Sequence, residues 1–171
     1  MPPKKPKKIK PTLLAYEVRK AVSEILNKPV SERINHQIFR SDQKVLAFWA
    51  ADCAEHVLVY FENECPNDNR PRKAIEECRA WANTGVFSMQ VIRGASLSAH
   101  AAAKMAEKDD ARFAAHAAGQ AVATAHVATH ALGSAVYGIR AVAAHSGMVD
   151  DGLVKERNWQ LELLRKYAGQ S

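Results

Sequence analysis

Apolar side chains return at three- and four-residue steps along nearly the whole chain from Thr12 onward, with charged residues between them. That is the period of amphipathic α-helices. Leu13, Leu14, Val18, Val22, Ile25 and Leu26 predict a first helix, capped by Thr12 and ended by Asn27-Lys28-Pro29. Ser31 opens a short second helix through Ile34, Ile38 and Phe39. Ser41 or Asp42 is expected to cap a longer one from Gln43 to about Glu64, with Val45, Leu46, Trp49, Ala50, Cys53, Val57 and Tyr60 or Phe61 on its apolar stripe. Residues 65–70 read as a loop, in which Asp68 or Asn69 can accept from free amides and Pro71 suits the first turn that follows. The next helix carries Ala74, Ile75, Cys78, Trp81 and Ala82 and stops at Gly85. A helix from about Ser88 to Lys108 comes next, then one capped by Asp109 or Asp110. Gly147 and Asp150-Asp151-Gly152 predict a turn before a last helix over 153–167, with Leu153, Trp159, Leu163, Leu164 and Tyr167 for packing. Only Val86 to Ile92 has any strand character. The pattern defines an all-α, single-domain bundle of seven or eight helices.

The centre of this bundle is alanine. Residues 95–144 hold 20 alanines in 50 positions. Alanine has the highest helix propensity, and methyl ridges are shallow enough for axes to approach closely. Gly119, Gly133 and Gly138 interrupt the block. Each costs about 1 kcal/mol relative to alanine inside a helix, so each is expected to mark a crossing where a backbone or a large side chain sits close. A single helix from Asp110 to Ser146 is too long for a domain of this size, and a break is expected near His126 to Ala128.

Charge changes the picture at one end only. The 171 residues carry a net +6, which by itself suggests a nucleic-acid or membrane partner. Residues 1–10 contain Lys4, Lys5, Lys7, Lys8 and Lys10 and no acid; the remainder has 19 basic and 18 acidic residues. With four prolines in residues 1–11, this segment is expected to be a disordered arm, and residues 12–171 the folded domain. The arm can contact nucleic acid weakly and non-specifically. No long uncharged apolar run points to a membrane span, and the N-terminus lacks the apolar core of a signal peptide. Three cysteines without a CxxC pair fit free thiols in a reducing cytoplasm.

Candidate chemistry concentrates in the alanine block. His100, His116, His126 and His130 lie within it and His145 directly follows it, and His126 and His130 stand four apart, a spacing that can hold a metal on an unbroken helix. The glutamate of an HExxH site and the ExxH pairs of di-iron bundles are missing. Buried histidines bonded across alanine interfaces are the simpler reading, with metal binding or acid–base catalysis as the sharper ones. Gln120 and Thr124 continue a polar stripe with His116 or His126; the stripe is either a core network or a recognition surface. Asp68, Arg70 and Arg72 form either a local clamp or an exposed arginine hot spot for a protein partner. No GxSxG, Cys/His signature or glycine-rich phosphate loop occurs, and no cofactor is implied.

Two blocks carry a resemblance. The first is Asp68, Arg70-Pro71-Arg72, Ala74-Ile75, Trp81 and Gly85. The second is Ala99-His100-Ala101-Ala102, the run Ala117 to Val127, His130-Ala131 and Tyr137. Together they resemble the immunity-protein-five-like family of bacterial polymorphic toxin systems, over roughly Ser41 to Ala144. The resemblance implies a cytoplasmic helical protein that binds and neutralises a cognate toxin, without catalytic residues to carry over. The lysine-rich arm departs from that pattern. A basic toxin would need acidic surface, for which Glu62, Glu64, Asp68, Glu76 and Glu77, or Glu107, Asp109 and Asp110, are the candidates. A non-enzymatic protein-binding module is the leading expectation. The alternative is a metal-binding or enzymatic bundle using His100, His116, His126 and His130. Self-association through an alanine-rich face is also open.

Overall fold

The computed structural model of the chain describes residues 16–20, 36–147 and 150–168. The Lys4–Lys10 arm, most of the expected first helix and the Ser31 helix start lie outside these residues. Residues 16–20 are helical, and Val18 is buried. Six helices follow: α1 (His36–Glu64), α2 (Arg70–Thr84), α3 (Met89–Met105), α4 (Asp109–Ala123), α5 (His130–Ser146) and α6 (Asp150–Ala168). No strand occurs among the described residues.

Local chemistry sets several of these limits where the sequence places them. Pro71 stands in the first turn of α2, where its missing N–H has no helical partner to lose. Gly85 ends α2 with φ 71°, a left-handed residue whose N–H bonds back to the Trp81 carbonyl. Ser88 caps α3, its hydroxyl accepting from Val91 N.

Four boundaries differ from expectation. α1 is continuous from His36, so Ser41 and Asp42 lie inside it; the segment holds no proline or glycine to stop the helix. α3 ends at Met105 rather than Lys108, because the Glu64 carboxylate of α1 accepts from the backbone N–H groups of Glu107 and Lys108. Lys108 is the N-cap of α4, and Asp109 and Asp110 fall in its first turn, where the positive end of the helix favours carboxylates. Asp150-Asp151-Gly152 is the start of α6, not a turn.

The break in the alanine block falls between α4 and α5, over residues 124–129. Tight bonds such as Ala125 N to the Val122 carbonyl replace the α-helical ladder there. The carbonyls of Thr124 and Ala125 are freed and accept from Gln43 Nε2 of α1, at 2.9 and 3.2 Å.

The helices form two layers. α3, α4 and α5 lie side by side with α4 in the middle. Behind them, α2 packs on α3 and α4, α1 packs on α4 and α5, and α6 closes the end against α1 and α5. The buried residues of α4 are Ala111, Ala114, Ala115, Ala117, Ala118, Gly119, Ala121, Val122 and Ala123. Methyl groups on nearly every inward side let four neighbours reach one helix. The large buried side chains come from elsewhere: Leu46, Trp49, Leu58 and Phe61 from α1, Ile75 from α2, Ile139 from α5, and Leu153 and Leu164 from α6. Fully burying such a side chain contributes about 1.5–3 kcal/mol, against about 0.8 kcal/mol for one methylene-sized group. α4 therefore supplies proximity, and its neighbours supply most of the buried area.

Polar groups fix α6. Trp49 Nε1 donates to the Gln160 carbonyl at 2.9 Å, and Gln160 Nε2 donates to the Ala135 carbonyl and to Glu156 Oε1. Buried Glu156 pairs with His56 Nδ1 at 2.9 Å, and the His56 ring rests on Trp159. Gly138 makes the room, because a Cβ there would meet Gln160 Nε2 at 3.2 Å. Cys53 and Cys78 are buried free thiols, and burial raises the pKa of both, that of Cys78 to about 12.

Candidate functional site

The sequence candidates separate into two groups. Asp68 and Arg70 form a local pair where the α1–α2 loop enters α2, and Arg72 belongs to a carboxylate–guanidinium ladder between α1 and α2. Asp68 accepts from the Arg70 guanidinium at 2.6–3.1 Å and from the Arg70 backbone N–H. Arg72 bridges Glu62 and Glu55, Arg79 bridges Glu55 and Asp52, and Tyr167 of α6 donates to Asp52. Burial pushes the Glu55 carboxyl up, but Arg79 and Arg72 outweigh it and hold it below its ordinary range. Burial and the bond to Asp52 push the Tyr167 phenol up to about 12. Every guanidinium here already has a carboxylate: Arg72 and Arg79 tie α2 to α1, and Arg70 closes on Asp68 of the loop. The same pairing uses up much of the first acidic patch, since Glu62 and Asp68 face arginines and Glu64 holds backbone amides.

The second group converges. His100 of α3 and His116 of α4 meet with Nδ1 atoms 2.7 Å apart, so one nitrogen donates and the other accepts. His116 stacks on Tyr137 of α5 at 5.0 Å between centroids. His130 Nδ1 donates to Gln120 Oε1 at 2.8 Å, and the His126 and His130 rings stand 5.2 Å apart. Two of the three glycines are the seats of this arrangement. A Cβ on Gly119 would lie 2.8 Å from the His100 ring, and one on Gly133 would lie 2.5 Å from Gln120 Oε1. A row of polar rings and one amide thus crosses the outer side of α3, α4 and α5.

One candidate leaves this row. Thr124 is fully buried, and its hydroxyl donates to the Gln120 carbonyl, so it closes α4 from within. His126 lies in the break and His130 begins α5, so the pair does not share one unbroken helical face. Among the described residues no group of three or more His, Cys, Asp or Glu side chains is placed to hold a metal ion. No helix among them is long and apolar enough to cross a membrane.

Sequence reasoning missed His56, Glu156 and Gln160. Their signal was available: Leu153, Glu156, Gln160 and Leu164 follow at three-, four- and four-residue steps, which puts both polar residues on the apolar stripe of α6. It also missed Lys104 and Arg140, which flank the histidine row.

Burial lowers the pKa of His100, His116 and His130, with help from neighbouring cations: His130 and Lys104 for His100, His100, Arg112 and Lys104 for His116, and His126 for His130. These side chains resist protonation in the fold and accept it freely when unfolded. Folding stability should therefore fall as pH drops below the ordinary histidine value of about 6.5. His56 acts in the opposite sense. Its bond to Glu156 raises its pKa, so its contribution is full below the ordinary value and fades as pH rises through the raised one. Urea midpoints measured from about pH 5 to 8 should decline on the acid side. A His100→Asn/His116→Asn variant should decline less steeply; an unchanged profile would refute the assignment.

The fold and this row define a class: a two-layer, alanine-packed helical protein with a histidine-lined outer face. The chain belongs to the Imm-5 like putative immunity protein family, which it matches over residues 36–167. Searches of curated proteins and of solved structures find no match. The family match begins at the first residue of α1 and ends in the last turn of α6.

Proposed function

We propose that this chain is a non-enzymatic immunity protein that binds a cognate toxin and neutralises it in the cytoplasm of the cell that makes both. The family match across all six helices carries this reading. Free, buried thiols are compatible with a reducing compartment. The recognition residues are His100, His116, Gln120, His126 and His130, presented by glycine seats on a rigid layer. Asp68, Arg70 and Arg72 act as structural ties rather than contacts.

Co-expression with the toxin domain encoded in the neighbouring reading frame tests this. Cells producing the toxin domain alone should die, and cells also producing this chain should grow. The two proteins should then elute together from a sizing column. Death in the presence of well-folded chain would refute the reading.

A further inference from the structure

The near-zero net charge of the body conceals a separation of charge between its two layers. From residue 78 to residue 149 the only carboxylates are Glu107, Asp109 and Asp110, all at the corner between α3 and α4. Asp109 is bound to Arg112 and Asp110 to His145. The other described carboxylates lie on α1, α2 and α6, in the loop between α1 and α2, and at Glu17. On α3, Arg93, Leu97, His100 and Lys104 follow one another at four-, three- and four-residue steps, so they share one stripe. On α5, His130, Gly133, Tyr137 and Arg140 share a stripe at three-, four- and three-residue steps. The His100–His116 and His116–Tyr137 contacts join the two stripes across α4.

The cations on this face are available. Arg93, Lys104 and Arg140 are exposed and form no ion pair among the described residues. The Arg140 guanidinium lies over the Phe113 and Tyr137 rings, 5.8 and 5.7 Å from their centroids. Stacking holds that guanidinium in place and leaves its N–H donors free for carboxylates. The candidate acidic patches, by contrast, are largely engaged in internal bonds.

We infer that the outer face of α3, α4 and α5 is the docking surface for an acidic protein surface, whose carboxylates meet Arg93, Lys104 and Arg140 around the histidine row. This rests on the immunity reading and gives the toxin's contact region its chemistry. A nucleic acid fits less well: three free cations neutralise few phosphates, and the rings are packed on one another rather than open to bases.

Titration of isotope-labelled full-length chain with a polyglutamate peptide tests the surface directly. At low salt the peptide should shift the His100, His116 and His130 ring signals, and added salt should reverse the shifts. Shifts confined to the Lys4–Lys10 arm, or larger shifts at the face with a DNA duplex, would overturn the inference. With the toxin domain, Lys104→Glu/Arg140→Glu should weaken binding at least about tenfold, in line with like-charge opposition at an interface, and Lys104→Gln less. Both sites are exposed, and an unchanged helical spectrum confirms the fold. Wild-type protection retained in full by the double variant overturns the docking surface. Absence of wild-type protection overturns the immunity reading itself.

Discussion

Replacing Trp49 with alanine is expected to cost about 4 kcal/mol of folding free energy, the range for deleting a large aromatic from a packed core. Trp49 is fully buried on α1, which backs both α4 and α5. Its indole N–H also donates to the Gln160 carbonyl of α6. Loss of the ring leaves a cavity at the meeting of both layers and removes the second donor to a carbonyl that the α6 ladder still holds. Domains of this kind have only about 5–15 kcal/mol in hand, so the variant should unfold at a much lower urea concentration. Trp49→Phe separates the two contributions. It keeps most of the packing and loses the hydrogen bond, and about 0.5–1.5 kcal/mol should remain as the cost of that bond. A loss under 1 kcal/mol for the alanine variant would contradict this placement of α1.

The second large effect comes from adding atoms instead of removing them. Ala118→Leu is expected to destabilise the chain by about 3 kcal/mol, at the upper end of overpacking costs. Ala118 is fully buried on α4, the helix with neighbours on both sides in its layer and two behind it. Three extra carbons at this fully buried position must displace the helices packed against α4. Ala101→Leu is the control. Ala101 is exposed on α3, and the same change there should shift stability by no more than about 0.5 kcal/mol. Similar urea midpoints for the two variants would show that the alanines of α4 are not close-packed.

These two predictions rest on features of unequal visibility. The alanine-rich block and the aromatic anchors could be read directly, since composition and a 3.6-residue period report burial. So could the limits of α2, where Pro71 and Gly85 act through their own backbones. The break after Ala123 followed from length alone, but its stabiliser did not. Gln43 reaches the freed carbonyls from 81 residues away, and no local pattern encodes that. Ser41 and Asp42 misled because capping residues mark a helix start only if the preceding residues leave the helix.

The site was legible in parts. The histidines and glycines of the alanine block were visible as residues, and the fold explains their spacing: Gly119 seats His100 and Gly133 seats Gln120. Which histidines pair was not visible, because His100 and His116 lie on different helices. The charge separation was hidden by the sum of 19 basic and 18 acidic residues, which conceals that the acids cluster on one layer. Glu156 and Gln160 were overlooked for a related reason: a polar residue on an apolar stripe reads as noise until its partners are known.

The central claim is that this chain acts by occupying a partner, not by turning one over. Titrating a fixed amount of the neighbouring toxin domain with purified chain, and following the toxin's activity, tests this most directly. The claim predicts a linear fall that reaches its floor at one chain per toxin and is restored when the complex is dissociated. Complete loss of toxin activity at a small fraction of an equivalent, growing with time, would mean catalytic inactivation and would contradict it.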